Sequence, residues 1–254
     1  MLHYIDHKGP ENGPTLLISH GLYGSARNWN VICKGLSQSR RVIAIDHRNH
    51  GASPWFDTNT YEDLAGDLAE VIGHVGGPCD VLGHSMGGKA AMVLAHGYPD
   101  LVNRLCVADI APVSYSHNQT KFIKAMKAVD LSVVKTRADV RGQLGNFLKD
   151  ESLQNFFTQS VDVQKQSWLL NLDVLRREMS KIVDFPDLRT RFKGITLFLS
   201  GAESNYIKSE MRADIQRLFP AAKFAKIPRA GHWIHAERPK EFEAALRVFF
   251  GYGS

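Results

Sequence analysis

CDVLGHSMGGKAA, residues Cys79–Ala91, joins a short apolar run to a stretch typical of a helix. Within it, Gly83–Gly87 fits the pattern Gly-x-Ser-x-Gly, with Ser85 at its centre. A serine in a sharp strand-to-helix turn projects its hydroxyl at the carboxyl end of a parallel sheet. Small residues must flank it, because the strand and the helix nearly touch there. The context predicts a nucleophilic serine at position 85, with a tight turn without chemistry as the alternative.

Short apolar segments alternate with helical patterns along much of the chain. Strands that are covered on both faces are apolar almost throughout, and a helix between two such strands implies that they pair in parallel. The sequence therefore predicts an α/β fold, a mostly parallel sheet with helices on both faces. The predicted strands are Thr15–His20, Arg41–Asp46, Cys79–Gly83, Arg104–Asp109, Ile195–Ser200 and Lys223–Ile227. The predicted helices are Tyr61–Val75, Met86–His96 and Lys240–Phe250.

The alternation stops between Val113 and Asp187. This stretch contains helical patterns and polar connectors but no convincing strand, and it is far longer than an ordinary connection between two elements. We therefore expect a helical cap at residues 113–187, inserted into an α/β core that is formed by residues 1–112 and 188–254.

Composition narrows the class of protein. A chain of 254 residues is long enough for one domain with a large core, or for one domain plus an inserted subdomain, and 44% hydrophobic and 22% charged residues are ordinary for a soluble globular protein. We find no signal peptide and no apolar run near the roughly 20 residues that span a bilayer. The three cysteines have no Cys-x-x-Cys spacing, which argues against a disulfide framework or a zinc site. We expect a cytoplasmic protein that does not enter a membrane, and the sequence leaves the oligomeric state open.

The net charge of +5 is unevenly distributed. Residues 113–193 hold 14 Lys and Arg against 9 Asp and Glu, and the rest of the chain is neutral. This excess is either a solvated basic face or a basic rim that attracts anionic substrates. Because there is no arginine-rich tract and no recognition motif, we do not expect nucleic-acid binding.

A glycine-rich turn, His20–Ser25, follows the first predicted strand. A turn of this kind can aim a backbone N–H at the oxyanion that develops during acyl transfer. The expected donors are the N–H groups of Leu22 and of Met86, which follows the candidate nucleophile. A simple strand–loop turn is the alternative. His47 and His50 come just after another strand and are expected to support the loop beneath the site.

Eleven histidines compete for the role of general base. His232 is the best candidate, because it follows the last predicted strand, lies in a loop bordered by Gly231 and precedes the final helix. His235 lies three residues further on and is the alternative.

Several motifs together resemble those of the α/β-hydrolase superfamily, and the resemblance covers nearly the whole chain. Two of the elements, Asp46–Ser53 and Asp109–Tyr115, are more specifically similar to the YbfF-type bacterial esterases. Members of that group are described as esterases and thioesterases with a small helical cap. The motifs are His20-Gly-x-x-Gly-Ser25, Asp46-x-Arg-Asn-His-Gly-x-Ser53, Gly83-His-Ser-Met-Gly-Gly88 and Gly231-His-Trp233.

The resemblance also locates the acid. In most members of the superfamily the acid follows the strand that is Ile195–Ser200 here, where this chain has Ser204 beside Glu203. In the YbfF-like group it follows the preceding strand, which ends here at Asp109. The resemblance thus implies Asp109 as the acid and Ser204 as part of the acid–base network, with Glu203 as the alternative acid.

Ser85, His232 and Asp109 would form a Ser-His-Asp triad, with the serine as nucleophile. They imply a serine hydrolase that acts on a small-molecule ester or thioester, acyl-CoA included, without a metal or cofactor. We expect the substrate to contact the aromatic residues near these positions, which are Tyr23, Tyr206 and Trp233. Carbon–carbon bond hydrolysis or a lyase reaction on the same triad, and a non-catalytic ligand sensor, remain open alternatives.

Overall fold

The strands at the middle of the protein are short and fully buried. The computed structural model describes residues 1–11, 13–116 and 119–251. In chain order the strands are β1 (Tyr4–His7), β2 (Leu16–Ser19), β3 (Val42–Ile45), β4 (Cys79–His84), β5 (Val102–Ala108), β6 (Val161–Asp162), β7 (Ser167–Trp168), β8 (Ile195–Gly201) and β9 (Ala222–Ile227).

Seven of these strands form one sheet in the order β1-β3-β2-β4-β5-β8-β9. Only β1 in this sheet is antiparallel to its neighbour, and the other pairs are parallel. The connection that leaves β2 leads to β3 on one side, whereas the connection that leaves β4 leads to β5 on the other side, so the two connections diverge. A crevice opens at the carboxyl edge of the sheet where connections diverge in this way, and ligands bind there in α/β folds.

Helices cover both faces of the sheet. The α-helices are α1 (Asn30–Leu36), α2 (Tyr61–Val75), α3 (Met86–Gly97), α4 (Thr120–Lys127), α5 (Arg137–Leu144), α6 (Glu151–Thr158), α7 (Leu172–Arg177), α8 (Met179–Val183), α9 (Arg212–Leu218), α10 (Ile234–Glu237) and α11 (Pro239–Phe250). The start of α2 shows how the local sequence determines where a helix begins. The Thr60 side chain accepts a hydrogen bond from the Asp63 N–H and caps the helix. No helix among the described residues is both long and apolar enough to cross a bilayer.

Side chains alternate between two cores along each central strand, as the two-residue period of a strand requires. Leu17 of β2 joins the core beneath α2 and α3, whereas Leu16 and Ile18 join the core beneath α1 and α11. Both faces of the sheet are therefore shielded from water, which explains why the strands are apolar almost throughout. The predicted fold, a mostly parallel sheet between helices, is confirmed.

The stretch between β5 and β8 contains helices α4 to α8. The prediction that it has no strand was wrong, since β6 and β7 form a small antiparallel pair. Each of these strands has two residues, too few for a periodic pattern to be recognised in the sequence. Strand β1 was also missed, because its four residues include an aspartate and a histidine and each is only half-buried. The domain boundaries at 112/113 and 187/188 stay a prediction.

Candidate active site

Ser85 lies at the junction of β4 and α3, at the carboxyl edge of the sheet. Its φ of 52° is in a region that non-glycine residues rarely occupy. The surrounding contacts hold it there. A Cβ on Gly83 would lie 2.3 Å from the Gly87 carbonyl oxygen, and a Cβ on Gly87 would lie 2.4 Å from the Ser19 carbonyl oxygen. Glycine at both positions allows α3 to approach β2 and β4 closely enough to force the turn.

The structure brings three predicted side chains into one line of contacts. Nε2 of His232 lies 3.2 Å from Oγ of Ser85, and Nδ1 of His232 lies 2.7 Å from Oδ2 of Asp109. A carboxylate only accepts hydrogen bonds, so the proton of the imidazole is on Nδ1 and Nε2 is free to accept from the serine hydroxyl. Asp109 is fully buried. Its second oxygen, Oδ1, accepts a hydrogen bond from the Gly201 N–H at 3.1 Å.

The loop after β8 supports this line from the side. The Ser204 hydroxyl donates to Oδ2 of Asp109, and the Tyr206 N–H donates to Oγ of Ser204 at 3.2 Å. The Tyr206 ring stacks on the His232 ring, with 3.8 Å between the centroids and 14° between the planes. The loop thus restrains both the carboxylate and the imidazole without supplying a carboxylate of its own.

The alternatives for the acid and the base have different surroundings. Glu203 is exposed, whereas Asp109 contacts the His232 ring directly. His235 stacks on Trp29, with 4.2 Å between the ring centroids, instead of contacting the serine hydroxyl. Packing of the His235 ring away from water, with a further effect of the charge on His232, lowers its pKa to about 3. The geometry therefore favours Asp109 and His232 for the two roles.

The peptide between Gly21 and Leu22 has a fixed orientation. The His47 N–H donates to Nε2 of His20 at 3.0 Å, so the proton of the His20 ring is on Nδ1, which donates to the Gly21 carbonyl at 2.7 Å. The Gly24 N–H donates to the same carbonyl. In a trans peptide the carbonyl and the N–H point in opposite directions. The Leu22 N–H is therefore turned away from these donors.

The loop of Leu22 is next to the nucleophile. A Cβ on Gly21 would lie 3.2 Å from Cβ of Ser85. Among the described residues, no acceptor pairs with the N–H of Leu22 or of Met86. Both donors thus remain available for an oxyanion.

His47 and His50 lie beneath this loop, as their position after a strand predicts. Nε2 of His47 is 2.7 Å from Oγ of Ser19, and Nε2 of His50 accepts from the Tyr23 N–H at 3.2 Å. Burial lowers the pKa of both imidazoles below the usual value. The neutral imidazole of His50 can accept the Tyr23 N–H, whereas Nε2 of His47 donates to Oγ of Ser19, whose own proton goes to the Gly87 carbonyl.

A cavity of ≈ 310 Å³ opens above Ser85. The three residues that were expected to contact the substrate, Tyr23, Tyr206 and Trp233, all line it. One wall comes from the stretch between β5 and β8, and it is apolar. Its residues include Phe122, Leu153, Phe156, Phe157, Ile182 and Val183. The cavity can therefore hold an apolar group close to the serine.

Lys89 also lines the cavity, although it was not among the predicted site residues. It lies on α3, and only 2% of its surface is exposed. A signal was present in the sequence, because the helix Met86–His96 carries this one lysine within an otherwise small and apolar run.

A family model described as the alpha/beta hydrolase family matches residues 16–245 of the chain. Esterase YbfF of Escherichia coli K12 is 34% identical over 241 residues, which cover 94% of this chain and 93% of that protein. This confirms the resemblance to YbfF-type esterases.

A mammalian relative is closer in sequence. The sn-1-specific diacylglycerol lipase ABHD11 of Mus musculus is 40% identical over 247 residues, which cover 93% of this chain and 80% of that protein. The solved structure of a marine microorganism esterase superposes with a TM-score of 0.92 at 36% identity and covers 98% of both chains. Relatives that are named as esterases and lipases thus share nearly the full length of the chain.

Proposed function

The chain belongs to the α/β-hydrolase family, and on that premise we propose that it is a serine hydrolase that cleaves carboxylic esters and thioesters through an acyl-enzyme on Ser85. The observation that carries the proposal is the continuous line of contacts from Asp109 through His232 to the Ser85 hydroxyl. The esterase and lipase names of the relatives agree with it.

In the first half of the reaction, Oγ of Ser85 attacks the acyl carbonyl carbon while its proton moves to Nε2 of His232. The carbonyl oxygen becomes an oxyanion, which the N–H groups of Leu22 and Met86 stabilise. Loss of one such donor typically costs about 3–4 kcal/mol of transition-state stabilisation. The tetrahedral intermediate then collapses. The alcohol or thiol leaves with the proton from Nε2, and the acyl group stays on Ser85.

In the second half, water replaces the leaving group. Nε2 of His232 takes a proton from the water as its oxygen attacks the acyl carbon, and it then returns the proton to Oγ of Ser85. The products are a carboxylic acid and the free serine. Asp109 keeps the proton of the imidazole on Nδ1 and stabilises the imidazolium that forms in each half. Ser204 and Tyr206 act on this pair by position, since one contacts the carboxylate and the other stacks on the ring.

The cavity supports an apolar acyl group as the part of the substrate that is enclosed. Tyr23, Tyr206 and Trp233 are the proposed contacts from the core. In this proposal residues 113–187 act as a cap over the site. Support comes from the phenylalanines of α4 and α6 that face the cavity and from the hydrogen bond of the Tyr23 hydroxyl to the Gln119 carbonyl at 3.1 Å.

Acyl-CoA thioesters are part of the proposed substrate range because of the charge at the edge of the cavity. Phe122 of α4 lines the cavity, and its neighbours Lys121 and Lys124 are exposed. Lys127, on the same helix, is paired with Asp173, so its charge is compensated. Two cations beside the cavity would attract the phosphates of coenzyme A.

The test uses an activated ester and a covalent probe. Rapid mixing with p-nitrophenyl acetate should release a burst of p-nitrophenol equal to the number of active sites, which is the kinetic sign of an acyl-enzyme. A fluorophosphonate should modify Ser85, as located by mass spectrometry of the peptide. Modification elsewhere, or none, would contradict the proposal. Inertness toward all short-chain esters and thioesters would favour a ligand sensor, and carbon–carbon cleavage without a burst would favour the other alternative.

A further inference from the structure

Lys89 is a buried cation beside the proposed nucleophile. It follows Ser85 by four residues, so the two lie on the same side of α3. Side chains on a helix lean toward its N-terminus, and Ser85 is at that end. The side chain of Lys89 is thereby directed toward the site, and both residues line the same cavity.

Neutral groups hold the ammonium. It donates to the Val183 carbonyl at 2.9 Å and to the Asp184 carbonyl at 2.6 Å, where α8 ends. Nζ also lies 4.8 Å from the centre of the Tyr115 ring and 5.7 Å from that of the Tyr61 ring. No carboxylate oxygen of the described residues lies within ion-pair distance of it. The Asp184 carboxylate instead accepts from the Ser114 hydroxyl and from the Phe185 N–H.

The ammonium group keeps one N–H donor for which the described residues supply no hydrogen-bond acceptor. An ammonium has three N–H donors, and two of them have acceptors here. A lysine is almost never fully buried without a paired charge. Burial lowers the pKa of Lys89 to about 7, while the charge of Asp184 acts in the opposite direction. An anion that enters the cavity would pair with the ammonium away from water, where the attraction is strong.

The anion must belong to the enclosed part of the substrate. In the proposed mode of binding the apolar cavity encloses the acyl group, and Lys89 is part of the lining of that cavity. We propose that Lys89 is a specificity residue that binds a carboxylate at the far end of the acyl group, so that the enzyme prefers half-esters and half-thioesters of dicarboxylic acids to neutral acyl groups of the same shape. This inference rests on the proposed serine hydrolase activity. It concerns the acyl side of the bond, unlike the basic edge on α4, which is formed by Lys121 and Lys124.

The test compares acyl groups of equal shape on a neutral thiol, N-acetylcysteamine. Malonyl, succinyl and glutaryl thioesters are paired with 3-methylbutanoyl, 4-methylpentanoyl and 5-methylhexanoyl thioesters, in which two methyl groups replace the carboxylate oxygens. We expect wild-type kcat/KM to favour the carboxylate at one chain length or more. In Lys89→Met the ratio should fall by about tenfold or more, because the buried partner of the carboxylate is lost.

Two further variants separate charge from packing. Lys89→Arg keeps the charge and should retain part of the preference. Lys34→Met removes an exposed lysine on α1, which covers the opposite face of the sheet, and should leave the ratio unchanged. Because Lys89→Met also loses two hydrogen bonds to residues 183 and 184, turnover of its neutral thioesters shows whether the site is still formed.

A measurement on the wild type alone keeps the test decisive. Calorimetry should show that succinate or glutarate binds more tightly than the matched monocarboxylate. Equal binding and equal kcat/KM at every chain length, together with an intact burst on p-nitrophenyl acetate, would overturn the role of Lys89 and leave the proposed hydrolase standing. Tight dicarboxylate binding without any burst would instead support the Lys89 site and contradict the hydrolase.

Discussion

The Ser204 hydroxyl lies 2.5 Å from Oδ2 of Asp109, the carboxylate oxygen that also contacts the His232 ring. Asp109 follows β5, and Ser204 belongs to the loop after β8. The two strands are neighbours in the sheet, with Ala108 opposite Leu199. Their carboxyl ends therefore meet at one edge. An acid from the earlier strand can reach the histidine, and the later loop can contribute a hydroxyl in its place.

A pair of carboxylate variants tests which acid orients His232. Asp109→Asn should lower kcat by about 10³–10⁴, because an amide can no longer hold the proton of the imidazole on Nδ1. Glu203→Gln serves as the matched control, since Glu203 is exposed, and its kcat should stay near that of the wild type. Steady-state hydrolysis of p-nitrophenyl acetate measures both. A large loss in Glu203→Gln with little loss in Asp109→Asn would reverse the assignment.

Ser204→Ala should have an intermediate effect. The variant removes a hydroxyl that donates to the carboxylate and accepts from the Tyr206 N–H. Loss of one hydrogen bond of about 1–1.5 kcal/mol corresponds to about a tenfold decrease in kcat. Ser209→Ala, an exposed serine further along the same loop, is the control. If Ser204→Ala equals the control in kcat, the hydroxyl has no part in positioning the acid.

Ser85→Ala should abolish ester hydrolysis while the protein stays folded. The methyl group fits wherever the serine side chain does, and the strained turn is held by the glycine contacts around it and not by the hydroxyl. Activity should fall by far more than about a hundredfold, since loss of a triad serine costs much more than that. Circular dichroism checks the fold. Residual kcat above about one-hundredth of the wild type would exclude Ser85 as the nucleophile.

The central strands and the site motifs were predictable because their signals are local. Buried strands show continuous apolar runs, and the turn at Ser85 needs glycines at fixed spacing. The contact of His232 with Asp109 spans 123 positions of sequence, and only the family resemblance implied it. No local pattern distinguishes an acid after β5 from one after β8.

Other features depend on tertiary structure and could not be predicted. The burial of Lys89 arises because the carbonyls of residues 183 and 184 are brought over α3, almost one hundred positions away. The restraint of the Gly21 carbonyl by His20 depends on a backbone N–H from the loop after β3. In both cases the residue type was visible in the sequence, but its partner was not.

Acid stability should depend on His235. Its pKa in the folded protein is about 3, against an ordinary value of 6.5. Between these values the unfolded chain binds a proton that the folded protein does not, so the free energy of unfolding decreases as the pH falls below about 6.5. The slope from this group approaches about 1.4 kcal/mol per pH unit. His235→Phe keeps an aromatic ring against Trp29 and removes the titration.

Urea denaturation of both proteins from about pH 7.5 to about pH 4.5 measures this effect. At the upper pH both side chains are neutral, and the difference in unfolding free energy reports packing alone. We expect this difference to move in favour of His235→Phe as the pH falls. Nδ1 of His235 is buried without a hydrogen-bond partner among the described residues, so the variant leaves no acceptor unpaired. If the unfolding free energies of the two proteins change in parallel with pH, the imidazole of His235 binds its proton as readily in the folded protein as in the unfolded chain, which would contradict the prediction.

The basic edge on α4 predicts a preference that depends on salt. Acetyl-CoA or butyryl-CoA should have a lower KM than a neutral thioester with the same acyl group, because Lys121 and Lys124 raise the local concentration of its phosphates. Attraction between exposed charges is screened within about 8 Å at physiological salt. The advantage in kcat/KM should therefore shrink between about 20 mM and about 500 mM salt, while the value for the neutral thioester stays constant.

A double variant locates the charges that cause this preference. Lys121→Gln with Lys124→Gln should remove most of the advantage of acyl-CoA at low salt. Lys34→Gln, which has the same chemistry on the far face of the sheet, should not. The acyl group is identical in the two thioesters, so any contact inside the cavity, including one with Lys89, cancels in the comparison. Equal kcat/KM for the two thioesters at both salt concentrations would mean that α4 presents only a solvated face, and a neutral ester would then be the better candidate substrate.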